Sequence, residues 1–143
     1  MADETLRTGL ETWCRSYVTA FSAYDADAIA AHWSFPALIV QGERTFTFDT
    51  TKRFGKNTAA LLGFYRAQDV AAAERTLVQA MAMGPDSAAI TVADRMVDPR
   101  GKTIVAWQAA YVLVRGAGGW RAVFADAAGE TAAWAANGTP LGG

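Results

Sequence analysis

Apolar residues recur through the first part of the chain at steps of three and four: Leu6, Leu10, Trp13, Cys14, Tyr17, Val18 and Phe21. At 3.6 residues per turn these form one stripe, which predicts an amphipathic helix over residues 4–23. Asp25 follows, a short carboxylate suited to accept the free amides of a new first turn. The second helix it opens should carry Ala28, Ile29, His32 and Trp33 on one side. Pro36 ends that helix and pushes Phe35 toward extended geometry. Residues 37–41 and 44–49 read as a small hairpin around Gly42 and Glu43, after which Thr50 or Thr51 can cap a third helix. Its inner stripe is Phe54, Thr58, Leu61, Leu62 and Tyr65.

The period then changes. Residues 74–83, 87–97, 103–115 and 120–127 are strand-like runs, separated by Gly84-Pro85-Asp86, Asp98-Pro99-Arg100-Gly101 and Gly116-Ala117-Gly118-Gly119. Those separators are hairpin signals, so the second half is predicted as an antiparallel meander. Helices gathered on one face of a curved antiparallel sheet make an α+β fold enclosing a pocket. Nothing splits residues 1–143 into more than one domain. Beyond residue 127 the chain is rich in Ala and Gly, with Trp134 its one large apolar anchor, and residues 137–143 are expected to form a flexible tail.

Loop length decides which strand residues share a face. In the last hairpin Arg115 should pair with Trp120, which places Trp107, Tyr111, Leu113, Trp120, Phe124 and Asp126 together. A type I turn at Pro99-Arg100 with Gly101 left-handed would pair Asp98 with Lys102 and add Arg95 to that face; a loop of even length would exchange Arg95 for Asp94. The opposite face, with Ile104, Ala106, Val112, Val114 and Val123, is also apolar. Three helices cover one side only, so back-to-back homodimerisation is expected through the other.

Composition narrows the function. Hydrophobic residues make up 52% of the chain and charged residues 19%, with a net charge of −1 and no basic cluster, so neither nucleic acid nor an anionic membrane is an expected partner. No apolar run approaches the ~20 residues of a membrane span, and an acidic opening, Met1-Ala2-Asp3-Glu4, is unlike a secretion signal. A cytoplasmic protein is the simplest expectation. One cysteine, Cys14, and one histidine, His32, give no metal-ligand set, and neither metal nor cofactor is expected.

Two segments carry a family resemblance: Ser16-Tyr17-Val18-Thr19-Ala20-Phe21 followed by Asp25-Ala26-Asp27-Ala28-Ile29, and the ending Gly119-Trp120-Arg121-Ala122-Val123-Phe124. With its element order, the chain resembles the NTF2-like superfamily, the cone-shaped α+β fold of SnoaL-type polyketide cyclases, ketosteroid isomerases and limonene epoxide hydrolases. The resemblance places Tyr17 where the isomerases keep a hydrogen-bond-donating tyrosine. It places Gln41 near their general base and Ala109 or Ala110 near their second acid, so isomerisation by that mechanism is not implied. Asp126, seven residues after Gly119, is similar to the acid/base aspartate of the cyclases and epoxide hydrolases.

Asp126, among aromatic neighbours, is the first catalytic candidate, since desolvation would raise its pKa. His32 titrates near neutrality by nature and is the second; Tyr17 would donate a hydrogen bond. Trp33, Arg95, Trp107, Tyr111 and Phe124 would contact a ligand. These groups suit a small, largely apolar molecule and cofactor-free proton transfer, such as cyclisation, isomerisation, dehydration or hydration. The alternative is a non-catalytic ligand-binding or dimeric assembly domain.

Overall fold

The N-terminal stripe folds into α1 (Ala2–Ser22), with Leu10, Trp13, Cys14 and Tyr17 buried; the computed structural model describes residues 2–141. Two short polar side chains then start the next helices. Asp25 accepts from the Ala28 amide at 3.0 Å and opens α2 (Ala26–Ala30), and Thr50 accepts from the Arg53 amide at 3.2 Å and opens α3 (Thr51–Ala67).

Between α2 and α3 run β1 (Trp33–Gln41) and β2 (Arg44–Phe48), and after α3 come β3 (Ala72–Gly84), β4 (Ser87–Val97), β5 (Thr103–Gly116) and β6 (Gly119–Asp126). They form one sheet in the order β2-β1-β6-β5-β4-β3. The meander β3 to β6 is antiparallel, as the turn signals predict, while β1 joins β6 in parallel. Pro36 lies inside β1 and cannot donate to the ladder, and the β1–β6 register is interrupted between Trp33 and Leu38. A nine-residue helix, α4 (Ala128–Ala136), follows β6 in the Ala- and Gly-rich stretch, where the sequence pattern predicts no element. Trp134 is wholly buried in it, and the chain beyond returns to the domain: the Thr139 amide bonds to Trp134 O, and Leu141 packs on the core. Gly142 and Gly143 lie outside the described residues.

Two register shifts correct the expected faces. The turn at Asp98 forms as predicted, with Gly101 at φ 80° and Asp98 N bonded to Lys102 O at 2.9 Å. One residue further on, however, Val97 pairs with Thr103 and Met96 with Val105, leaving Ile104 extra. Every residue of β4 before the bulge is therefore turned over: Asp94 faces inward beside Trp107, and Arg95, expected in the pocket, points out. In the last hairpin Arg115 pairs with Trp120 as expected, but Leu113 pairs with Ala122 and Val112 with Phe124, leaving Val123 extra. Ala125 thus stands opposite Tyr111, and Phe124 and Asp126 leave the Tyr111 face. Such bulges also bend a sheet into the curve that a cone requires.

Candidate functional site

The concave side of the sheet and the helices enclose a cavity of about 350 Å³. Its wall is mostly aromatic and aliphatic, including Tyr17, Trp33, Phe46, Phe54 and Phe64, with Gln41, Arg44, Asn57, Thr58 and Glu130 as its other polar side chains besides Tyr111. A smaller chamber of about 50 Å³ adjoins it, sharing Phe21, Tyr111, Ala125, Ala127 and Glu130, and is walled further in by Arg75, Asp94 and Trp107.

The chamber's polar groups come from six elements, α3, β3, β4, β5, β6 and α4. Arg75, in phase with buried Leu77 on β3, sends Nε to Asp94 Oδ1 at 2.7 Å and Nη2 to Asp94 Oδ2 at 2.8 Å. This two-point pair is almost fully desolvated, its side chains 5% and 8% exposed. Nη2 also donates to the Tyr111 hydroxyl at 2.8 Å. Among the described residues Nη1 has no hydrogen-bond partner. The guanidinium instead lies over the rings of Tyr111 at 4.7 Å and Tyr17 at 5.2 Å, whose π faces attract it. Burial pushes the Tyr111 hydroxyl up to about 12, with Arg75 pulling the other way, and raises Tyr17 well above its ordinary value. Both phenols therefore keep their protons at neutral pH.

Glu130 sits in the first turn of α4 and closes the other side of the chamber. The Tyr65 hydroxyl donates to its Oε2, as does Trp134 Nε1 at 3.2 Å. Burial dominates its titration and lifts the carboxyl from 4.5 to about 7, although the Tyr65 and Trp134 donors favour the ionised form. Both bonds fall on Oε2, so Oε1 is the atom left for a ligand. A carboxyl poised near neutrality in an apolar cavity can exchange a proton in either direction.

Of the residues singled out in the sequence, Tyr17, Trp33, Trp107 and Tyr111 are cavity walls. Tyr17 accepts from Trp33 Nε1 at 2.8 Å. Asp126 reaches the edge of the small chamber, but its Oδ1 accepts the Ala128 amide at 3.0 Å at the start of α4. His32 lines neither cavity. Its Nδ1 meets Ala28 O at 2.7 Å and must donate there, while Nε2 meets Ser16 Oγ at 2.7 Å. The two leading acid/base candidates are thus not hydrogen-bonded to each other: His32 is held by the Ala28 carbonyl and the Ser16 hydroxyl, and Asp126 by the Ala128 amide. Phe124 lines neither cavity, and Arg95 is tied on the outside to Glu74 at 2.6 Å.

Glu130, Arg75 and Tyr65 carry the site's polarity and were not candidates on sequence. Signals for them exist. Glu130 and Trp134 are four apart, the spacing that stacks side chains on one helix face, in a stretch of helix-favouring alanines. Arg75 is a lone cation at an inward position of its strand. Among the described residues no group of three His, Cys, Asp or Glu side chains is placed to hold a metal ion, and no helix is long and apolar enough to cross a membrane.

Comparison with known proteins agrees with this architecture. Residues 3–130 match the family described as NTF2-like protein (DUF6841). No curated protein matches the sequence. Among solved structures, an NTF2-like protein of unknown function from Shewanella oneidensis superimposes with a TM-score of 0.67 at 9% identity, over 84% of this chain and 96% of that one. A domain of unknown function with a cystatin-like fold from Nostoc punctiforme gives 0.66 at 15% identity, over 85% and 75%. A ketosteroid isomerase-like protein from Erwinia carotovora atroseptica gives 0.60 at 16% identity, over 81% and 89%. At these identities the likeness is one of fold.

Proposed function

Because the chain belongs to the NTF2-like family matched over residues 3–130, a fold whose members share shape and not chemistry, we propose a function from the cavity itself: it binds a small, largely apolar molecule and exchanges a proton with it through Glu130. The observation that carries this reading is the Glu130 carboxyl, lifted to about 7 in the wall of an aromatic cavity of about 350 Å³. Deprotonated, Oε1 takes a proton from a C–H or O–H of the bound molecule; returning it to another atom of that molecule completes an isomerisation, cyclisation, dehydration or hydration without a redox partner. The ring walls supply burial for the ligand's apolar body.

A second reading, binding without chemistry, is favoured by the two donors already on Glu130 Oε2. Nuclear magnetic resonance in D₂O separates the two. Bicyclic carbon acids of suitable size (ketones, nitriles and nitroalkanes) are incubated with the wild type and with Glu130→Gln. Exchange of their acidic C–H protons faster than in buffer, lost in Glu130→Gln, is the expected result. Binding without exchange across the panel leaves the binding role alone standing, and no binding at all overturns the cavity reading.

The reading includes a second copy of the chain as partner. Val78, Met81 and Met83 on β3 are 47%, 57% and 56% exposed, and Ile104, Val112 and Val114 on β5 are only half-buried. A homodimer through this side would cover them. Sedimentation at micromolar concentration should give twice 15.2 kDa; a single species of the monomer mass would overturn it.

A further inference from the structure

Tyr111 stands where the two cavities meet, 9% exposed, and its hydroxyl oxygen accepts from Arg75 Nη2 at 2.8 Å. A phenol that accepts still owns one hydrogen, and among the described residues Tyr111 donates it to no acceptor. The acids nearby are otherwise engaged. Asp94 turns one oxygen to Arg75 Nε and the other to Nη2, and Glu130 takes the Tyr65 and Trp134 donors on Oε2. An unmet donor in a desolvated wall is costly in the empty protein and available to whatever enters.

We infer that the Tyr111 hydroxyl, held and polarised by Arg75, is the hydrogen-bond donor to a neutral carbonyl oxygen on the molecule whose apolar body fills the larger cavity. The inference rests on the reading of that cavity as a ligand site and adds the class of its polar group. Charge selects the class. Asp94 already balances Arg75 at two points, so a ligand carboxylate would bring another acid beside Asp94 and Glu130 in a space of low dielectric. A cationic ligand would meet the buried guanidinium. A carbonyl accepts without adding charge. Arg75 is a positioning residue here: its Nη2 fixes the Tyr111 oxygen, and donation to that oxygen strengthens the hydroxyl as a donor in turn.

The test uses 2-tetralone and tetralin, one carbon skeleton with and without the carbonyl, titrated by tryptophan fluorescence into the wild type and Tyr111→Phe. The dissociation constant of 2-tetralone should rise roughly five- to tenfold in Tyr111→Phe, the worth of one net hydrogen bond, while that of tetralin stays unchanged. Infrared spectra of carbonyl-labelled 2-tetralone bound to the wild type should show a C=O stretch below its value in hydrocarbon solvent. This readout decides the matter even if Tyr111→Phe does not fold. A hydrocarbon-like stretch, or equal affinity of 2-tetralone for both proteins, overturns the inference while tetralin binding keeps the cavity reading alive. If neither compound binds, the cavity reading fails and this inference falls with it.

Discussion

Strands β3 and β4 carry two arginine–acid pairs at neighbouring positions, one on each side of the sheet. Arg75 and Asp94 meet at 2.7 Å with side chains 5% and 8% exposed; Arg95 and Glu74 meet at 2.6 Å with 46% and 50% exposed. The chemical partners and distances are nearly the same, and the roles are not. The inner pair is stripped of water, makes its bond at two points and holds Tyr111. The outer pair adds a bond to Thr103 and is otherwise screened by solvent. Position relative to the Ile104 bulge, and not residue type, decides which pair shapes the chamber.

Removing one partner from each pair is the strongest way to break this contrast. Asp94→Ala leaves the Arg75 charge buried without its counter-charge and should cost about 3–5 kcal/mol in denaturant unfolding. Arg75→Met with Asp94→Leu, which removes both charges, should recover much of that loss. An Asp94→Ala cost below about 1 kcal/mol would mean that the inner pair is as well solvated as the outer one.

A pH titration of stability sharpens the comparison on the acid side. Glu130 is raised from 4.5 to about 7 in the folded protein by burial, among Tyr65, Trp134, Asp94 and Arg75. Between these values the folded state keeps the proton that the unfolded state has released, so stability falls as pH rises across this window and levels off above it. The full difference is on the order of 3 kcal/mol. Glu130→Gln should remove this component of the slope and raise the melting temperature at pH 8. An unchanged slope would show that Glu130 titrates as a solvated acid.

Asp126→Ala tests a smaller interaction, the carboxylate on the Ala128 amide at the start of α4. Loss of such a side-chain-to-backbone hydrogen bond costs about 1 kcal/mol, read as a lower denaturation midpoint. The smallest effect belongs to the outer pair: Arg95→Ala should change stability by less than about 1 kcal/mol, and high salt should erase the difference.

Much of the fold was legible along the chain because it rests on local chemistry. Asp25 and Thr50 cap the helices they were expected to cap, the α1 stripe is the buried stripe, and Gly101 takes the left-handed position of its turn. Tyr17, Trp107 and Tyr111 reached the cavity because each position depends on its own element's periodicity, whereas Trp33, expected on the second helix, reaches it as the first residue of β1, α2 having ended at Ala30. α4 was harder to see: alanine and glycine favour no face, and what fixes the helix that presents Glu130 is its close approach to β5, where Gly129 lies against the Gln108 carbonyl, and the Trp134 contacts with Phe64 and Tyr65.

By itself the sequence determined the turn chemistry and most of the order of elements, since these follow from residues a few positions apart, and through a resemblance it pointed to the NTF2-like architecture. Only the tertiary structure decided which residues face the cavity. A bulge adds one residue and reverses every side chain beyond it, and no local pattern marks Ile104 or Val123 as the extra one. Those two residues exchange Arg95 for Asp94 and remove Phe124 and Asp126 from the Tyr111 face. The polar group that then closes the site, Glu130, comes from a helix held in place by packing on β5, with Trp134 reaching across to α3.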